Sequence, residues 1–222
     1  MSSPVQTNLA TQEKVTGVDD SHNQQAVMGS GVDQEQEYRA GAYSLLAALL
    51  RSVPDQAIID PVRNLSEFPQ QGDDLSVSMH MLGLAARSCN QASIDDEYHN
   101  LFIGLGRGEL VPYGSWYLTG FLMEKPLGLL RRDLSNLGFE RNPDTHEPED
   151  HVAALCEVMS LLIEEGREHD EQRQFFETHI GSWMEQFFTD LSQAKTAVFY
   201  RAVGRFGYAF IEFEKQYMSM KV

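Results

Sequence analysis

From Glu149 to the C-terminal Val222 the chain contains no proline. Within that stretch apolar residues recur at alternating spacings of three and four: Val152, Leu155, Met159 and Leu162; then Phe176, Ile180, Trp183, Phe187 and Leu191; then Val203, Phe206, Phe210, Phe213 and Tyr217. Such spacing lines up one face of a helix against a core. Proline would remove a backbone donor and break the run. The C-terminal third is therefore predicted as successive amphipathic helices.

The upstream sequence reads the same way, with more punctuation. Ala42, Leu45, Leu46, Leu49, Leu50 and Val53 follow helical spacing, and Pro54 ends that run. A turn-rich stretch with Pro61, Pro69 and Gly72 leads to a second helix through Leu75, Met79, Leu82 and Ala86. A third is predicted over residues 95–103, broken by Gly104, Gly106 and Gly108. In "KPLGLLRRDLSNLGF", Pro126 suits a first helical turn and Gly138 a helix end. Pro148 is placed at the next helix start. No run alternates as a strand does, so the expected class is all-α, a single bundle of about seven to nine helices over residues 34–222. Residues 1–33 are polar and poor in aromatic and aliphatic residues, which predicts a disordered acidic tail.

A formal net charge of −16 argues against nucleic acid and anionic membranes as partners and favours a basic peptide or protein. Two cysteines, Cys89 and Cys156, form no disulfide framework and suit a reducing cytoplasm. No segment is apolar for long enough to span a bilayer, and the N-terminus lacks an export signal.

The sequence carries no recognisable catalytic constellation. The seven histidines form no HExxH or paired Glu-x-x-His set, and His146 and His151 astride a helix start make a poor metal pair. "GLGRGEL" lacks the lysine and Ser/Thr of a phosphate loop. It reads as a helix end needing positive φ, or as a phosphate cradle. No nucleophile–base pair is in view, so the chain is expected to be no enzyme, with no cofactor and no metal. Two stretches stay open. In "EPEDH", Glu149 and Asp150 suit a first helical turn facing the helix dipole, while a charged His151 does not. In "LVPYGSWYLTG", Tyr113, Trp116 and Tyr117 are either plugs for a bundle end or a recognition surface.

Taken in order, "EYHNLFIGLG", "VPYGSWY" and "EPEDH" on an acidic helical chain resemble the TorD/DmsD/NarJ family of cytoplasmic molybdoenzyme chaperones. The likeness covers about residues 38–217. The family's acid–aromatic–x-x-Leu-Phe run is similar to Glu97, Tyr98, Leu101, Phe102 and Gly104. Its Pro-Tyr-x-Ser-x-Tyr run is similar to Pro112, Tyr113, Ser115 and Tyr117, with Trp116 between. Its Glu-Pro-x-Asp-His run is similar to Glu147, Pro148, Asp150 and His151. Many relatives have Gly-Pro-Gly where this chain has Gly104-Leu105-Gly106, so the loop shape does not carry over.

The resemblance implies a helical chaperone that binds the catalytic subunit of a DMSO-reductase-type molybdoenzyme, often through its twin-arginine signal peptide. It holds that subunit competent for molybdopterin insertion and delays export. The motif residues are the expected docking surface, with Asp150 accepting from a peptide arginine. Relatives also exchange helical blocks between chains, which allows a homodimer hinged at residues 138–147. A small-molecule or guanine-nucleotide-binding regulator, using the 104–108 loop and Asp150, is the alternative.

Overall fold

The computed structural model describes the backbone of residues 20–68, 72–104, 108–141 and 147–220, and side chains from Gln34 onward within those ranges. The tail expectation for residues 1–33 and half of the proposed hinge, residues 142–146, thus lie outside the described side chains. Among the described residues there are ten α-helices and no strand. They are α1 (Asp20–Arg51), α2 (Gln56–Asn64), α3 (Asp74–Ser88), α4 (Gln91–Tyr98), α5 (Gly114–Thr119), α6 (Lys125–Asn136), α7 (Val152–Glu164), α8 (His169–Phe175), α9 (Met184–Gln193) and α10 (Phe199–Ser219). Wider π-type turns, His99–Ile103 and Phe176–Ile180, extend α4 and α8.

Side chains start these helices where the sequence supplies them. Asp55 accepts from Ile58 N–H at 3.1 Å and Asp73 from Ser76 N–H at 2.8 Å. Asn90 and Ser93 close a reciprocal capping box on α4. Two expectations need correction. The segment after Pro54 is not all turn: α2 runs through Pro61, which is exposed, so the helical carbonyl it fails to satisfy is near water. And α7 begins at Val152, not at Pro148. Pro112 O accepts from Val152 N–H at 2.9 Å and Tyr113 bridges His151, so residues 149–150 form a turn and His151 is extended before the helix starts.

The core is built on α10. It buries Tyr200, Val203, Phe206, Phe210 and Ile211 and packs against α9, α3 and α4. Gly204 and Gly207 set the α9–α10 spacing. A Cβ at Gly204 would lie 2.5 Å from Ser192 N, and one at Gly207 would lie 2.3 Å from the Phe188 ring. The predicted Phe176–Leu191 stripe is buried but not one helix, because α9 restarts after Trp183.

One charge pair sits inside this core. Arg39 donates to Glu214 at 2.6 and 2.9 Å and to Gln172 at 2.9 Å, and Tyr43 OH donates to Glu214 at 2.9 Å. Arg39 and Glu214 are 1% and 0% exposed, so the pair survives only through this full set of partners.

Candidate functional site

Two of the three motif stretches are bound to each other by backbone. Tyr113 and His151 form an isolated antiparallel bridge. Gly114 N–H donates to the Asp150 carbonyl at 2.9 Å. The chain thereby brings residues 112–114 and 150–152 side by side despite the residues between them.

Asp150 then fastens the joint. Its Oδ2 accepts from Ser115 N–H at 2.7 Å, so it caps α5 from outside that helix's own sequence. Tyr113, at the α5 N-cap position, offers no side-chain acceptor. Asp150 is 3% exposed, and its Oδ1 has no hydrogen-bond partner. Ser115, fully buried, accepts from Met123 N–H through Oγ at 3.2 Å and so draws in the loop after α5. Glu149 and Asp150 precede the helix rather than lying in its first turn. Glu149 instead meets Arg131 at 2.9–3.1 Å, and that ion pair holds its carboxyl below the usual range despite partial burial.

His151 is the α7 N-cap. Its Nδ1 accepts from Ala153 N–H at 3.2 Å, which requires an unprotonated nitrogen there. Burial, with the nearby Arg51 charge, pushes its pKa down to about 4. A neutral imidazole resolves the conflict between histidine and the positive helix end. Its ring meets Tyr113 edge-on at 5.0 Å.

Tyr98 and Tyr113 border the same place. Burial raises both phenols to about 12, and the neighbouring Glu147 carboxylate adds to it. Glu147 is itself raised by burial, although exposed by area. Beside them, Ser44, Ala47, Ala48, Arg51 and Glu157 line a groove of about 300 Å³ between α1 and α7. Phe102 packs on Tyr98 and Tyr200 at 5.0 and 5.5 Å. Gly104 closes the π turn at φ 57°, a conformation that favours glycine, while residues 105–107 lie outside the described set. Pro148 turns the chain by accepting from His151 N–H at 3.2 Å.

Of the aromatic loop, Tyr117 is a plug. It contacts Trp183 and Phe187 at 5.4 and 5.9 Å, and its hydroxyl donates to Asp190 at 3.1 Å. Trp116 is half-buried. So Pro112, Ser115, Asp150 and His151 are interior fasteners, while Tyr113, Trp116 and Glu147 present surface. Two acids in or next to the first motif also turn out to fasten. Glu97 accepts from Val198, Phe199 and Tyr200 N–H groups at 2.7, 3.0 and 2.7 Å, and Glu109 accepts from Lys195 and Thr196. Nothing local marks either as a cap, because the donors lie about ninety to a hundred residues away. Arg51 was missed for the same reason. Among the described residues, no group of three or more His, Cys, Asp or Glu side chains is arranged to hold a metal.

The family model for the nitrate reductase delta subunit matches residues 70–189, more than half of the chain and all three motifs. This chain belongs to the nitrate reductase delta subunit family. Curated relatives agree. Chaperone protein TorD of Aliivibrio salmonicida is 27% identical over 169 residues, 70% of this chain and 79% of the relative. TorD of Actinobacillus succinogenes is 29% identical over 54% of this chain and 61% of the relative. A solved structure of a redox enzyme maturation protein from Archaeoglobus fulgidus, 19% identical, superposes with a TM-score of 0.54, covering 80% of this chain and 93% of that one. At that identity the superposition speaks to the delta-subunit fold alone.

Proposed function

We propose that this delta-subunit-family chain is a dedicated cytoplasmic chaperone rather than an enzyme. Its client is the catalytic subunit of a DMSO-reductase-type molybdoenzyme, engaged through the twin-arginine signal peptide. Binding keeps the subunit competent for molybdopterin insertion and delays export. The observation that carries the reading is the joint between residues 112–115 and 150–152. It gathers Tyr113, Glu147 and the Asp150 carboxylate at one place, with Leu118 and Phe121 exposed on and just after α5, on a chain of net charge −16. The names of the TorD relatives support the same role. Among the described residues no helix is long and apolar enough to cross a membrane, which agrees with a chaperone that meets its client before export.

The test is affinity purification of the tagged full-length chain from its own cells grown without molybdate. A molybdoenzyme catalytic subunit lacking its cofactor is the expected companion. Recovery of only nucleic acid, lipid or a small metabolite would overturn the reading. Light scattering on the same material decides between a monomer and a dimer exchanged at residues 138–147.

A further inference from the structure

From Leu75 to Ala86, α3 carries no Asp, Glu, Lys or Arg, on a chain that is 23% charged. Much of the helix is spoken for by the fold. It packs against α10 and α2, and it buries Ser78, Leu82 and Ala86. Gly83 meets the turn Leu65–Glu67 after α2, where an added Cβ would lie 2.3 Å from Ser66 N. The remaining face is open. Val77, Met81 and Leu84, at helical spacing, form one stripe and are 39%, 42% and 43% exposed. A helix that is apolar on every side is ordinarily covered on every side. A contiguous apolar stripe left in water marks a contact surface.

Charge narrows what can cover it. At a net charge of −16, two copies of this chain repel each other over most of their surface, and a strip without acids is where they can meet. The strip is also complementary to itself. Turned end for end about the midpoint between His80 and Met81, Val77 faces Leu84 of the second copy, and Met81 lies beside its own counterpart. The ends then match as well. Asp73 and Asp74 open the helix and Arg87 closes it, so antiparallel pairing sets acids against a cation at both ends. These groups are at the surface: Asp73 caps α3 through Oδ1, and Arg87 forms an exposed ion pair with Glu67. Three side chains, each less than half exposed, bury far less than the roughly 800 Å² per partner of a standard interface. Pairing is therefore weak and follows concentration.

We propose that the open face of α3 is a self-association surface, on which two intact chains pair reversibly and antiparallel through Val77, Met81 and Leu84. The contact differs from an exchange of helical blocks at residues 138–147, because each chain keeps its own fold. It does not depend on the chaperone reading and stands or falls apart from it. A strongly basic or acidic partner finds no opposite charge along the stripe, whereas a second copy offers hydrocarbon to hydrocarbon and matching charges at the ends.

The test is sedimentation velocity on the full-length chain over a wide range of concentration. A monomer–dimer exchange is expected, and it should tighten as salt screens the shared negative charge. Met81→Glu sets two like charges together at the two-fold axis and should weaken the dimer by more than about tenfold, with circular dichroism unaltered. Leu84→Lys carries the same test if Met81→Glu perturbs the helical signal. Cross-linking checks the register. Antiparallel helices packed about 8–10 Å apart bring the two Met81 Cα atoms within disulfide reach. Met81→Cys combined with Cys89→Ser should therefore give a covalent dimer under mild oxidation, while Cys156 is buried and stays silent. Tyr208→Cys with Cys89→Ser, on the exposed side of α10, should not. A monomer at every concentration would overturn the proposal, and so would a dimer that loosens as salt is raised. A dimer that survives both dilution and Met81→Glu, as a block-exchanged one does, or equal cross-linking from Met81→Cys and Tyr208→Cys, would overturn it too.

Discussion

Replacing Glu97 by alanine removes a cap that serves the central helix. Its two oxygens accept three N–H groups at the start of α10, at 2.7, 3.0 and 2.7 Å, with the Phe199 and Tyr200 bonds buried. Water does not reach those two donors when the carboxylate is gone. Each buried orphan costs about 1–3 kcal/mol, and an ordinary N-cap loss about 1 kcal/mol. The sum, after partial relaxation, is about 3–5 kcal/mol. At about 3 °C per kcal/mol for a chain of this size, Tm falls by roughly 9–15 °C. Glu97→Gln is the graded control. Its single oxygen at the Oε1 position still meets Val198 and Tyr200, while its amide faces Phe199 N–H donor to donor, so about 1–2 kcal/mol is lost. Urea titration followed by circular dichroism measures both, with the slope unchanged. A Glu97→Ala chain within about 0.5 kcal/mol of wild type would refute the capping argument. Peptide affinity at matched folded fraction is the second readout. It should stay at the wild-type value, because Glu97 fastens the fold and does not face the proposed ligand.

Other outcomes follow from the same geometry. His151 has a folded pKa of about 4 against about 6.5 when unfolded, so its stabilising effect is complete above about pH 6.5 and is lost as pH falls toward 4. Between pH 7 and 5 that loss is about 2 kcal/mol, and His151→Asn, which still caps α7, should shrink the wild-type drop by that amount in urea titrations at the two pH values. Glu214→Gln strands a buried guanidinium and should cost about 3–5 kcal/mol, whereas Arg39→Met with Glu214→Leu should cost clearly less than the two single changes summed. Gly204→Ala forces a Cβ against the α9 backbone and should lose about 1–3 kcal/mol, while Gly41→Ala, with nothing within 4 Å, should gain about 0.5–1 kcal/mol. Thermal melts of the two glycine variants check the pair.

The helical class was legible because burial on one face leaves a periodic trace: Phe206, Phe210 and Tyr217 are each where the spacing puts them, inside. Gly138, at φ 85° just after α6, was also readable as a helix end from its neighbours. What failed was non-local. The start of α7 moved from Pro148 to Val152 because Pro112 and Tyr113, far upstream, pair with Val152 and His151 and hold His151 extended. Pro61 reads as a breaker in isolation, yet Ile59 and Val62 are buried on either side of it and carry the helix through. At the site, spacing alone assigned Asp150 to the dipole of its own helix. It serves the start of a different one, α5, and no local pattern encodes which helix an acid will cap. The apolar display of Phe121 and Met123 had a visible trace in "LTGFLME", a hydrophobic run without helical spacing.

Asp150 therefore raises a question of economy. Capping α5 needs one acceptor, and a serine or asparagine supplies that without a buried charge. An aspartate takes on the desolvation of a full carboxylate and uses one oxygen. Its fold role leaves the second oxygen unexplained, for Oδ1 is buried and has no hydrogen-bond partner. A ligand cation would make the charge useful in the bound state only, so on the proposed chaperone reading the unbound chain is left with an incentive to bind. Asp150→Asn separates the two roles. If the charge serves the fold, the variant loses stability and its peptide affinity follows the folded fraction. If it serves the client, the variant is as stable as wild type or more so, and discriminates less between an arginine peptide and its methionine counterpart. Only in the second case does discrimination between the peptides fall with no fall in the melting temperature of the same preparation.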